Sequence, residues 1–111
     1  MKFENNVMFT GRLGRDAEVK VTASGKTLIK FSLGNTYKDE TTWLDVVVWE
    51  NEAATNFKKG NIVFVRGFLK QENWEAKDGT KRSRLVCNAQ ECCLQEFEKM
   101  SKPPASEDVE F

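Results

Sequence analysis

The run Trp43-Leu44-Asp45-Val46-Val47-Val48-Trp49 constrains this chain more than any other stretch. Its β-branched centre favours an extended backbone. A period of two then places Leu44, Val46 and Val48 on one face and Trp43, Asp45, Val47 and Trp49 on the other. The face carrying the carboxylate is the wetter one, so two indoles are expected on the side away from the core. Exposed indoles cost solubility, and a covering surface is expected for them. Either a second sheet or subunit packs there, or the face meets a partner with flat apolar surfaces, such as nucleic-acid bases.

Other segments repeat the pattern of short strands divided by turn signals. Val7 to Leu13 alternates weakly around Gly11, Gly14-Arg15-Asp16 breaks it, and Glu18 to Thr22 continues it. Ala23-Ser24-Gly25-Lys26 turns the chain into Leu28–Asn35, where Ile29, Phe31 and Leu33 oppose Lys30 and Ser32. Residues 36–40 read as a polar, mobile connection. A helix is expected between Glu50 and Lys59, with acids early, lysines late and Gly60 as its stop. Ile62–Lys70 alternates again, setting Val63, Val65, Gly67 and Leu69 against Phe64, Arg66, Phe68 and Lys70. Trp74 precedes an Asp78-Gly79 turn, and Arg82–Asn88 returns as the last clear strand. Five strand segments with one short helix between the third and fourth describe an all-β fold, the five-stranded Greek-key barrel known as the oligonucleotide-binding (OB) fold.

At 111 residues the chain makes one domain with a sufficient core. It carries 17 basic and 17 acidic residues, so no global positive field points to a polyanionic partner. Residues 101–111 hold Lys102 against Glu107, Asp108 and Glu110, which leaves 16 basic and 14 acidic residues in a mildly basic body. The opening residues lack the apolar stretch of a signal peptide, and no run approaches the roughly 20 apolar residues that span a bilayer. A cytoplasmic location without membrane attachment is the expectation. Cys87, Cys92 and Cys93 are expected to be reduced and partly buried. With no histidine and no second ligand pair, neither zinc nor another cofactor is expected. Catalysis is not expected either, because the chain has no histidine, no Gly-x-x-x-x-Gly-Lys loop and no Gly-x-Ser-x-Gly elbow.

Several motifs in order resemble the bacterial and phage single-stranded DNA-binding proteins. The likeness runs through Asn5-Asn6-Val7, Gly11 to Val19, Ser24-Gly25-Lys26, Phe31-Ser32-Leu33, Thr42 to Trp49, Lys58-Lys59-Gly60, Val65 to Leu69 and Asn73-Trp74. The resemblance implies that Trp43, Trp49 and Trp74 stack on bases, that Tyr37 lies near a further stacking aromatic, and that Lys59 and Lys70 approach phosphates. Lys77, Lys81, Arg82 and Arg84 form either a DNA-tracking finger or a solvated charged turn. Asp45, Asn51, Glu72 and Asn73 depart from the family, which commonly carries Arg or Lys at those places.

The expected division is an OB-fold DNA-binding domain over residues 1–100 and a disordered acidic tip over 101–111. The tip, Glu107-Asp108-Val109-Glu110-Phe111, resembles the family's C-terminal segment, which recruits replication and repair enzymes. The resemblance further implies a homotetramer. Phe64 and Phe68 are read as subunit contacts, which leaves a dimer as the alternative. The rival functional reading is an RNA-binding or primosome-type accessory module of the same fold, and a third gives the aromatic faces to protein assembly alone.

Overall fold

Alternation of apolar residues builds six strands, which the computed structural model describes over residues 2–95. They are β1 (Val7–Leu13), β2 (Glu18–Val21), β3 (Thr27–Tyr37), β4 (Glu40–Trp49), β5 (Ile62–Glu75) and β6 (Lys81–Gln95). The 1–100/101–111 boundary and the acidic tip lie outside the described residues.

The sheet order is β1-β5-β6-β4-β3-β2, and an additional pairing of β1 with β3, through Arg12↔Gly34 and Leu13↔Leu33, closes a five-stranded barrel. β1 and β2 are the two halves of one bent strand. β1 pairs with β5 and the end of β3, whereas β2 pairs with the start of β3. All neighbours are antiparallel except β4 and β6, which meet in parallel at Val46↔Cys87 and Val47↔Asn88. This is the OB topology expected from the strand spacing.

One face of every strand except the exposed β2 fills the barrel. Leu13, Ile29, Phe31, Leu33, Val46, Val48, Val63, Val65, Cys87 and Ala89 are buried together. No buried polar or charged residue interrupts this core among the described residues. Burial pushes the Cys87 and Cys92 thiols up from their ordinary value, with Cys93 adding to the shift at Cys92, so both remain protonated near neutral pH.

The expected Glu50–Lys59 helix is instead a single 3-10 turn, Ala53–Asn56. Glu50 has φ +53°, outside the helical region, and its carboxylate and N–H both engage the main chain of Thr27. Asn51 Oδ1 accepts from Ala54 N (3.1 Å), while Asn51 Nδ2 donates to Cys92 Sγ (3.4 Å). Phe57 leaves the turn in extended conformation. Its ring seals the barrel end, edge-on to Phe31 at 5.5 Å. Main-chain bonds from Ala17 to Phe57, Leu13 to Asn61 and Gly60 to Leu13 then fasten residues 57–61 across the β1–β2 bend. These tertiary bonds outweigh the propensity of a ten-residue helix, which is marginal in isolation.

Two hairpins share one turn. In Thr22–Lys26 and Ala76–Thr80, the fourth residue is a glycine (Gly25 φ +87°, Gly79 φ +89°) whose N–H closes onto the first residue's carbonyl. The third hairpin is unlike both. Residues 36–40 are no mobile connection, because ladder pairing runs out to Tyr37↔Glu40 and leaves a two-residue tip. Lys38 (φ +49°) and Asp39 (φ +69°) both adopt the left-handed region there. Such tips favour Asn-Gly. Replacing Lys38-Asp39 by Asn-Gly is expected to stabilise the protein by about 1 kcal/mol, read as a shift in the urea midpoint. An unchanged midpoint would show that the tip carries no strain.

Candidate nucleic-acid interface

The outward face of β3 and β4 continues into the β5–β6 hairpin and forms a concave surface. Two adjoining grooves, of about 550 and 630 Å³, share Lys30, Val47 and Arg84. Val47 lies on the Trp43 side of β4, as the alternation predicts, yet it is buried, as is Val86 on β6. The two valines form an apolar floor beneath the larger groove.

Trp49 and Trp74 both line that larger groove, together with Lys30, Lys70 and Arg84. Trp43 lies six residues before Trp49 on the same face of β4, about 20 Å away along the strand. The three indoles are 59, 43 and 46 % exposed for Trp43, Trp49 and Trp74. Trp43 shares the outward face of β4 with Trp49, beyond the linings of the two grooves.

Trp43 is seated by glycine. A Cβ on Gly34, its direct partner on β3, would lie 2.9 Å from Trp43 Cη2, and one on Gly14 would lie 3.1 Å from the same ring. The indole thus lies against bare main chain, with its remaining surface outward. In a Trp49→Phe, Trp74→Phe background, Gly34→Ala is expected to lift the indole and increase its quenching by acrylamide. Unaltered quenching would mean that glycine does not set the pose. Glu50, clamped to Thr27, ends β4 immediately after Trp49 and holds the neighbouring pair Leu28↔Trp49 at the strand end.

The charges around the groove divide into two kinds. Arg84 Nη1 lies 3.2 Å from Asp45 Oδ2 and Nη2 lies 3.3 Å from Glu72 Oε1. Its guanidinium carbon sits 5.8 Å from the Trp74 ring centroid. Ser32 Oγ donates to the other Asp45 oxygen at 2.6 Å. Lys30 and Lys70, by contrast, make no ion pair among the described residues.

Other expected site residues lie farther out. Tyr37 is exposed near the β3–β4 tip, under Lys38 Nζ at 5.3 Å, and by ladder parity on the opposite face of the ribbon from Trp43. Lys59 lies beyond the Asp16 end of the smaller groove, its main-chain N–H donating to Asp16 Oδ1 (2.9 Å). Arg82 faces Trp74 across the hairpin and pairs with Asp78 at 3.8 Å. Lys77 and Lys81 are exposed at the turn. The family's basic positions do not lead to Lys30 or Arg15, yet both line the surface. Lys30 was detectable as the cation opposing Ile29 and Phe31 in the β3 alternation.

A family model described as "Single-strand binding protein family" matches residues 4–95. This chain belongs to that family. Among curated relatives, the "Single-stranded DNA-binding protein" of Treponema pallidum is 35 % identical over 96 residues, covering 77 % of this chain and 54 % of that protein. "Single-stranded DNA-binding protein 1" of Synechocystis sp. is 38 % identical over 91 residues, covering 74 % of this chain and 75 % of that one. The Chlamydia pneumoniae "Single-stranded DNA-binding protein" is 34 % identical over 109 residues, covering 90 % and 68 %. The chain therefore spans between about half and three-quarters of these relatives' lengths. A solved structure titled "Plasmodium falciparum SSB complex with ssDNA" superposes with a TM-score of 0.74 at 19 % identity, covering 86 % of this chain and 98 % of that one, which is a likeness of fold. Family membership bears out the resemblance read in the motifs from Asn5 to Trp74.

Among the described residues no helix is long and apolar enough to cross a membrane. None of their His, Cys, Asp and Glu side chains form a group of three that could hold a metal ion.

Proposed function

We propose that this chain is a non-catalytic protein that binds single-stranded DNA without sequence specificity and protects it during replication, recombination and repair. The observation that carries the proposal is the three half-exposed indoles, Trp49 and Trp74 lining one groove with Lys30 and Lys70, and Trp43 on the same face of β4 as Trp49. Every base has a π face, so stacking, worth about 1–3 kcal/mol per base, gives affinity without readout. Duplex DNA hides those faces, and single strands are therefore preferred. Lys30, Lys59, Lys70, Lys77 and Lys81 supply the phosphate contacts whose counterion release makes binding salt-dependent.

The named relatives support DNA over RNA as the ligand. Gel retardation with a labelled thymine oligonucleotide, competed by duplex DNA and by RNA of equal length, tests the choice. The proposal expects competition by unlabelled single-stranded DNA far more than by either other species. Stronger competition by RNA would transfer the function to the RNA-binding alternative.

The proposal extends to assembly, tail and location. Met8, Phe64 and Phe68 point outward from β1 and β5 and suit a contact between copies of the chain. A homotetramer is proposed, with a dimer as the alternative outcome of sedimentation analysis. Glu107 to Phe111 is proposed as a docking tip for replication and repair enzymes that carry a basic, apolar pocket, acting in the cytoplasm.

A further inference from the structure

We infer that phosphate contact within the groove falls to Lys30 and Lys70, and that Arg84, its best-placed cation, instead positions Trp74. This rests on the single-stranded DNA reading and assigns separate roles to its cations. Arg84 sits where the two grooves meet, flanked by two carboxylates. Asp45 reaches it from β4 and Glu72 from β5, its direct neighbour across the hairpin, so the cluster carries one positive and two negative charges. A phosphate approaching that cluster meets net repulsion, whatever the donors of the guanidinium offer.

The same contacts give Arg84 another task. Its planar fork ties β4, β5 and β6 together and lies over the Trp74 ring, fixing the indole's inner side while the outer side stays open. Ser32 occupies the second oxygen of Asp45 and holds that carboxylate toward Arg84. Lys30, three strands away from Trp74, faces the same space. Its neighbour across β2, Glu18, turns to Lys20 at 3.8 Å, leaving the Lys30 ammonium unpaired among the described residues. Lys70 lines the groove from β5, also unpaired. Within the groove, these two are the cations that can neutralise a phosphate and release its condensed counterions.

The test is the slope of log affinity against log salt for a thymine oligonucleotide, measured on the full chain. Lys30→Gln and Lys70→Gln are each expected to reduce the slope by about 0.7, one phosphate contact on a single strand. Arg84→Gln is expected to weaken binding at every salt concentration with the slope unchanged, and to shift tryptophan emission in the absence of DNA. Arg84→Lys keeps the charge without the fork and is expected not to restore affinity. Asp45→Asn with Glu72→Gln frees the guanidinium and should steepen the slope by about 0.7. All these side chains are at least partly exposed, and circular dichroism checks the fold of each variant. A slope reduced by Arg84→Gln as much as by Lys70→Gln, or affinity restored by Arg84→Lys, would overturn the assignment of Arg84. An unchanged slope in Lys30→Gln would overturn that of Lys30. Failure of the unaltered protein to bind the oligonucleotide at all would instead overturn the reading beneath it.

Discussion

Replacing Trp43 and Trp74 together by alanine is expected to weaken binding to a thymine oligonucleotide by about 2–6 kcal/mol, or roughly 30-fold to 10⁴-fold in Kd. The two indoles come from different strands and meet different parts of the path, Trp43 over Gly34 on the barrel and Trp74 on the hairpin beside Arg84. Their separate contributions should therefore nearly add. Because both rings are about half exposed, little core packing is lost and the variant should stay folded. The salt slope should not change, because no cation is removed. Equilibrium titration at fixed salt measures the effect. A loss below threefold with the fold intact would mean that stacking is not the source of affinity.

The second large effect concerns stability. Gly67→Ala is expected to destabilise the barrel by about 3 kcal/mol or to prevent folding, because an added Cβ would stand 2.1 Å from the main-chain oxygen of Asn88 and 2.8 Å from Ala89 Cα. Both obstacles are backbone, held in place by the longest strand pair of the molecule. Gly67 lies where the β5–β6 register shifts, Arg66 pairing with Glu91 but Gly67 with Ala89, so that Gln90 is the extra residue of a β-bulge. Gly34→Ala collides only with a surface indole and should cost far less. Urea unfolding compares the two. Equal midpoints for Gly67→Ala and the unaltered protein would show that the bulge yields.

That bulge also explains why part of the fold was hidden in the sequence. Alternation reveals β3, β4 and β5, since Ile29, Phe31, Leu33, Val46, Val48, Val63 and Val65 keep strict period two and all are buried. β6 runs to Gln95 rather than stopping near Asn88, and its second half was hidden because Gln90 breaks the parity. Cys87 and Ala89 face inward before it, whereas Cys92 and Leu94 oppose the inward-facing Val65 and Val63 after it. The β3–β4 hairpin was concealed by a tip with no glycine, Lys38-Asp39 standing in left-handed geometry that residue type alone does not announce. The helix failed for a comparable reason, since Glu50 is committed to Thr27 and Phe57 to the core.

The candidate site shows the same boundary between local and distant information. Outward tryptophans follow from parity within one strand or from an exposed hairpin, and the structure leaves all three exposed, with Trp49 and Trp74 lining one groove. Lys30 needed no more than parity, but as a single lysine among many it carried no distinguishing mark. Arg84 could not be separated from its neighbours Lys81 and Arg82 by sequence, because its partner Asp45 lies 39 residues away. Only the parallel meeting of β4 with β6 brings them together.

Base stacking on the tryptophan face is the central claim, and intrinsic fluorescence reads it directly. The measurement is a titration of the unaltered protein with an unstructured thymine oligonucleotide at two salt concentrations, with duplex DNA and RNA of equal length beside it. The account predicts strong quenching by the single DNA strand, a midpoint that moves to higher DNA concentration with salt while the quenching at saturation persists, and little response to duplex. Absence of quenching at concentrations that saturate binding would contradict it and would give the three indoles to protein assembly instead.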